Sequence, residues 1–591
     1  MRIPALIILA STFVSTALWA QTHGGGGGHT SVPSTPSTPS PSRSSGNLGG
    51  IPTPVPLASA NDEGKIEFRT QTVLVQVPVV ITDKGGNHVH GLTKSDLHIF
   101  ENGKEQTIAN FEEITTSNDK LPIVPQKEGE FHNLLLPEKE PHTVTVIALD
   151  TVNTPFLDQT VGRRELVKYL ANSLDSGHVL ALMIITSRGL KIVQGLTGDP
   201  EHLVQALKKA SGELPAMQGV DADAQADVAA GDVDMPISIS PGTDPTAAME
   251  AFVEHGDAVY AQFQQQNAIE TTLSGFMGIA LALQGVPGRK SLIWATGSFP
   301  FTLTSPDIVP RGALSALYEH TMQALMQAQI SVYPVDVRGL VMGSAVADAS
   351  RSRVPTARQI NNRSWLQTSS IDTLNEFAAM TGGKAFYNTN DLASSFKRAA
   401  DDASSYYLVG YYLDLHNNHA GWRQLKIKVD RKDTEVRARK GFFVTNATLH
   451  MELSRNLDIT NALTSPIEGT GIPVAVKWTG VAGDGPTKKA SFVVQIPFEG
   501  MSLDPTGQNR VNFDFAVAAY SPNNKDGKPT ATMGKTFTPS LTDTQLATVR
   551  AEGLRFGYNL DLSPGQYTVR FVVRDNVTGK IGSVTAPLAV N

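Results

Sequence analysis

The residues best placed to do chemistry close the stretch Thr143–Thr154, TVTVIALDTVNT. An apolar, β-branched run stops at Asp150, and the short polar side chains of Asn153 and Thr154 follow at once. This pattern predicts a buried parallel strand whose carboxyl end opens into a polar crevice, where open α/β sheets bind their ligands. Other chemistries find little support. The chain has no P-loop, no His-Glu-x-x-His, no Gly-x-Ser-x-Gly elbow and no Rossmann glycine fingerprint. Ser298 follows a strand-like run, yet no histidine near it in sequence offers a general base. The fourteen histidines are scattered without metal-ligand spacing, and His23 and His29 merely flank Gly24–Gly28. Asp221, Asp223, Asp227, Asp232 and Asp234 suggest calcium. Counted from Asp221, however, Ala226 stands where an EF-hand loop needs glycine, and no terminal glutamate follows. A non-enzymatic protein is expected, with a hydrolase as the weaker alternative.

Bulk properties narrow the class. At 591 residues the chain is too long for one core. A net charge of -7 gives no footprint for nucleic acid. Met1-Arg2 and the apolar run Ile3–Trp19, ending at Ala20, predict a secretory signal peptide over 1–20, the alternative being a retained anchor. No later stretch resembles a membrane span, so the mature chain is expected to be exported: periplasmic, outer-surface or secreted. The absence of cysteine removes disulfides, lipoprotein anchoring and thiolate zinc sites, and favours a bacterial protein.

The elements that must position Asp150 follow from periodicity. Residues 21–60 are a Gly/Ser/Thr/Pro linker that cannot bury enough apolar surface to order itself. Residues 141–402 alternate strands (143–149, 179–185, 191–196, 291–296, 331–336, 384–387) with helices (158–174, 200–211, 257–284, 309–328, 371–380, 391–402). Such alternation predicts a mostly parallel, doubly wound sheet. An acidic insertion, 211–246, and a basic one, 338–370, read as loops. Segments 65–115 and 405–445 alternate as strands, each too short for its own core, so together they predict one β-unit flanking the α/β domain. Residues 455–591 predict a C-terminal β-sandwich, in which Leu562–Val573 resembles a late hairpin of immunoglobulin-like modules.

Distributed motifs carry a resemblance. They are Asp96-x-x-x-x-Glu101-Asn102-Gly103 with Gln106; Leu149-Asp150-x-x-Asn153-Thr154; Gly285-Val286-Pro287-Gly288-Arg289-Lys290-Ser291-Leu292-Ile293-Trp294; Ala379-x-Thr381-Gly382-Gly383; Tyr407-Leu408-Val409-Gly410-Tyr411; and Arg437-Ala438-Arg439-Lys440-Gly441-Phe442-Phe443. Over about 65–445 the chain resembles the exported von Willebrand factor A-related proteins of the acidobacterial type. The resemblance implies a divalent-ion site at the carboxyl edge, built from Asp-x-Ser-x-Ser, a distant threonine and an aspartate after the fourth strand. Here Asp150 and Thr154 match, Val152 replaces a serine, and Gly297 or Ser298 stands where the aspartate belongs. A rearranged site of Asp150, Thr154, Thr272 (or Thr271), Ser298 and Asp336 for Mg²⁺, Mn²⁺ or Ca²⁺ is one expectation. The other is that Asp150 and Asp336 cap backbone amides.

Function is therefore expected to be protein binding, adhesion or scaffolding through the sheet's carboxyl edge, with Asn153, Arg338, Arg351 and Arg353 meeting a protein partner. The alternative is a structural part of an envelope complex that docks through the C-terminal sandwich. Both rest on analogy of fold.

Overall fold

The computed structural model describes residues 72–116, 129–134, 143–172, 178–210, 244–297, 313–340, 357–414, 421–444, 450–504, 509–524 and 527–591, with the single residues 212, 215 and 299. The expected signal peptide and linker, most of the acidic insertion, and Ser298, Arg351 and Arg353 lie outside these residues. The chain is multidomain, of mixed α and β structure, with several separate sheets.

Four strands of the middle segment are buried along their whole length: Val144–Asp150, Val179–Thr186, Lys290–Thr296 and Ile330–Asp336. Strands covered on both faces need apolar residues throughout, and this is why they read as continuous runs. The sheet runs, from one edge, Ile330–Asp336, Lys290–Thr296, Val144–Asp150, Val179–Thr186 and Gly189–Thr197. The first four are parallel and the last is antiparallel. Beyond the first strand, Phe386 adds one parallel bridge to Val335 in place of the longer strand expected at 384–387. Alternate residues serve opposite layers. Val146 and Ala148 join the layer that holds Ile269, Phe276, Met322 and Phe377, while Ile147 and Leu149 join the layer with Leu166, Tyr169, Leu207 and Phe396.

Two helices are longer than their periodicity indicated. Pro245–Leu283 takes up the end of the acidic insertion, started by the Asp244 side chain, which accepts from Thr246 N. Ala357–Thr381 runs through the second half of the basic segment expected to be a loop. Its polar first half contains no glycine or proline, so nothing in it breaks a helix. The polarity had hidden the pattern. Gly382, at φ +81°, ends it.

The segments on either side of this α/β region pair with each other. Thr72–Asp83 lies antiparallel to Ser405–Asp414 in one four-stranded sheet, with Val77 opposite Val409. In a second sheet Gly421–Val429 lies between Leu97–Glu101 and Gly441–Val444. A buried ionic knot ties this unit to the α/β core. Arg289 donates to Tyr333 Oη (2.7 Å), Gly382 O (2.9 Å) and Asp402 O (2.6 Å), while Arg437 Nη2 reaches Asp402 Oδ1 at 2.5 Å. Burial alone would raise the Asp402 carboxyl, but Arg289 and Arg437 hold it below its ordinary value.

The C-terminal region has two further four-stranded sheets around one core that includes Phe492, Phe515 and Phe571. Three features depart from expectation. The helix His450–Thr464 spans the boundary placed at 455. The short strand Glu130–His132 joins the sheet edge beside Ala475–Ala482. Leu554–Leu562 and Gly565–Asp575 belong to different sheets, so they form no hairpin; the second pairs with Ile581–Val590.

Candidate functional site

Asp150 ends its strand level with Thr296 on the neighbouring strand and with Asp336 on the strand beyond that one, since Leu149 pairs with Ala295 and Asp336 with Thr296. Its carboxylate is 1% exposed. Oδ1 accepts from the backbone amides of Val152 and Asn153, both at 3.0 Å. Oδ2 accepts from Asn153 Nδ2 (2.7 Å), Trp294 Nε1 (2.9 Å) and Thr296 Oγ1 (3.2 Å). Burial pushes this carboxyl up, and the donors, led by Asn153 and Trp294, oppose that shift.

The Asn153 amide is the centre of the arrangement. Its Nδ2 also donates to Thr272 Oγ1 at 2.8 Å, and so bridges the carboxylate of Asp150 and the hydroxyl of the long helix. Thr272 in turn donates to Ala268 O at 2.9 Å. A neutral –NH₂ group thus lies between the two side chains that the resemblance assigns to a cation. Thr154 Oγ1 accepts from Gly297 N at 2.9 Å. A Cβ at Gly297 would lie 2.9 Å from Pro155 Cδ and 3.2 Å from the Asn153 carbonyl oxygen. Close backbone approach therefore explains glycine at the position where the resemblance expects aspartate.

Asp336 does not turn toward this cluster. Its Oδ1 accepts from Arg338 N (3.0 Å) and Nε (2.9 Å), and Oδ2 from Arg338 Nη2 (2.7 Å). Of the proposed set, Asp150 and Thr272 are brought together through Asn153, Thr154 holds the adjoining loop, and Asp336 pairs with arginine. Thr271, the alternative threonine, lines a separate polar cleft of about 420 Å³ with Arg188, Glu270 and Asn461. Asn153 is 6% exposed and organises the interior, so it offers no face to a partner. A cavity beneath the loop, lined by Asp150, Gln159 and Arg163, measures about 20 Å³. That admits a water and no organic ligand.

Among the described residues the edge exposes several large apolar side chains. Phe156 (48%) and Leu157 (79%) open the helix after the Asp150 loop, and Leu340 (57%) follows the Arg338 turn. The larger surface is on the helix Pro245–Leu283. Its second half packs on the sheet, with Gly275 over Ile185 at the carboxyl end of that strand. Residues before Thr272 therefore lead beyond the edge, by roughly 40 Å at 1.5 Å per residue. Along them Met249, Phe252, Val253, Val259, Tyr260 and Phe263 are all exposed, while Ala258 and Ala261 are buried on the opposite face. Spacings of three, four and seven gather the exposed six into one stripe. Helical periodicity at 257–284 had signalled the buried half only.

A second cluster escaped the sequence reading. His88, His90 and Glu113 bring one potential ligand atom each to within 4.8 Å of one another, so the described residues include a group able to hold a metal ion. Burial, and then the neighbouring His90, push the His88 ring down. His-x-His on extended chain was a usable local signal, because residues two apart share a face. Glu113 could not be found that way. No protein-family model matches the chain, and no curated protein matches it.

Proposed function

We propose that the α/β unit is a von Willebrand factor A-like domain and that the protein is a binding or scaffold module, not an enzyme. Its partner is a protein that docks on the apolar face of the Pro245–Leu283 helix above the carboxyl edge of the sheet. The fold assignment draws on four parallel strands with one antiparallel edge and helices on both faces. The exposed stripe from Met249 to Phe263 carries the functional reading. Isolated exposed apolar residues are ordinary, but six on one helix face make a contiguous patch of the kind partners cover. Recognition at this edge proceeds without Mg²⁺, Mn²⁺ or Ca²⁺, because Asn153 Nδ2 occupies the junction of Asp150 and Thr272.

The test is Phe252→Asp with Phe263→Asp, at side chains 64% and 60% exposed. Cross-linking and co-purification from the native cell envelope, in EDTA and in Mg²⁺, are compared with the unmodified protein. The expected result is a protein partner retained by the wild type under both conditions and lost by the variant. Central aromatic contacts commonly contribute about 2 kcal/mol or more each. Retention by the variant, or dependence on Mg²⁺, overturns the reading.

A further inference from the structure

We propose that His88, His90 and Glu113 bind a divalent transition ion of the zinc class, with two imidazole nitrogens and one carboxylate oxygen as ligands and an outward position left to water. The site lies on the β-unit and is independent of the partner surface proposed above.

Its framework is built before any ion arrives. The turn at Asp83–Asn87 is fixed by Asp83 Oδ1, which accepts from Asn87 N at 2.9 Å, and by Gly86 at φ +87°. The chain then returns antiparallel, with His88 opposite Thr82 and Val89 N donating to Ile81 O at 2.9 Å. In this extended run His88 and His90 project to one side. Glu113 comes from a strand across the sheet, opposite Tyr407. Tyr407 links the two. It donates to Val89 O at 2.8 Å, accepts from Leu92 N at 3.2 Å, and stacks under the His88 ring at 5.4 Å between centroids. Gly91 N donates to Glu113 Oε2 at 3.1 Å, which aims Oε1 at the histidines. Ligands held by outer partners in this way characterise metal sites.

The distances suit a small ion. Glu113 Oε1 lies 2.7 Å from His90 Nδ1 and 3.7 Å from His88 Nε2. Bond lengths of about 2.0–2.2 Å in tetrahedral geometry place ligand atoms roughly 3.4 Å apart. Insertion therefore changes the two Glu113 separations by less than an ångström and draws the imidazole nitrogens, which lie within 4.8 Å of one another, together around the ion, a movement that His90, 62% exposed, can supply. The second observation is His88 itself. Both of its ring nitrogens are closed off from solvent, and among the described residues neither has a hydrogen-bond partner. Buried polar atoms rarely go unsatisfied without a functional reason, and a coordinated ion satisfies one of these directly. Two imidazoles with one carboxylate select zinc-class ions over Mg²⁺ or Ca²⁺, which take all-oxygen shells. In a chain without cysteine, such an ion would fasten the 84–92 loop to the sheet as a disulfide does in other proteins.

The experiment is calorimetric titration of Zn²⁺, and visible spectroscopy with Co²⁺, on the purified full chain and its variants. His90→Ala and Glu113→Gln are each expected to weaken binding at least about tenfold and to remove the d–d bands of four-coordinate Co²⁺. His98→Ala and the double change His23→Ala, His29→Ala should leave both readouts unchanged. The exposed position of His90 keeps that variant folded, which its metal-free circular dichroism would verify. An absence of binding in the wild type, binding that persists in His90→Ala and Glu113→Gln, or binding lost with His23 and His29 would each overturn the proposal.

Discussion

Replacing Asp150 with alanine separates an amide-capping carboxylate from a metal ligand. The side chain accepts five hydrogen bonds, and its loss leaves at least Val152 N and Trp294 Nε1 buried without that acceptor. An orphaned buried donor costs about 1–3 kcal/mol. Two of them, partly relieved by a water entering the small cavity beneath, predict a loss of about 3 kcal/mol in local stability. A metal ligand behaves differently. Without its ion it is an uncompensated charge, and removing it would be neutral or stabilising. Because a multidomain chain need not unfold in one step, the suitable assay is native-state hydrogen exchange across 144–154, in EDTA and again in excess Mg²⁺. The expected result is the same loss of protection, relative to wild type, under both conditions. A variant within about 1 kcal/mol of wild type in EDTA, and destabilised only when Mg²⁺ is added, would refute the reasoning.

Two further outcomes follow from buried charges. Lys290 is fully buried, its Nζ donates to Val286 O at 2.6 Å, and burial lowers its pKa to about 7. Between that value and the ordinary lysine value the unfolded chain holds a proton that the folded chain lacks. Stability therefore rises with pH across this window, by up to about 1.4 kcal/mol per pH unit. Melting curves of Lys290→Met against wild type from pH 7 to 10 should show this slope in the wild type and its loss in the variant. Asp458, on the helix that spans the expected boundary, accepts from Arg574 Nε at 2.8 Å and lies 2.6 Å from His320 Nε2. Asp458→Ala leaves Arg574 buried without its carboxylate. It should cost about 3–5 kcal/mol, read as lost exchange protection in 450–464 and in the adjoining sandwich strand.

The sequence by itself determined the order and type of most elements between 141 and 402. Strands buried on both faces must be apolar along their length, and this leaves a local signature. It also marked Asp150, because a carboxylate ending such a run must be accounted for. Segments whose structure depends on a distant partner left no such signature. Glu130–His132 is three residues long and becomes a strand only because the edge beside Ala475–Ala482 is there to receive it. The function of Asn153 was equally hidden: its amide matters because Thr272, 119 residues away, is packed against it. Glu113 joins His88 and His90 through a sheet whose register Tyr407 helps to set from far along the chain. Local periodicity records which face of an element is buried. It does not record which other element covers that face, and the hydrogen-bond partner of a buried polar atom is fixed only when the elements pack.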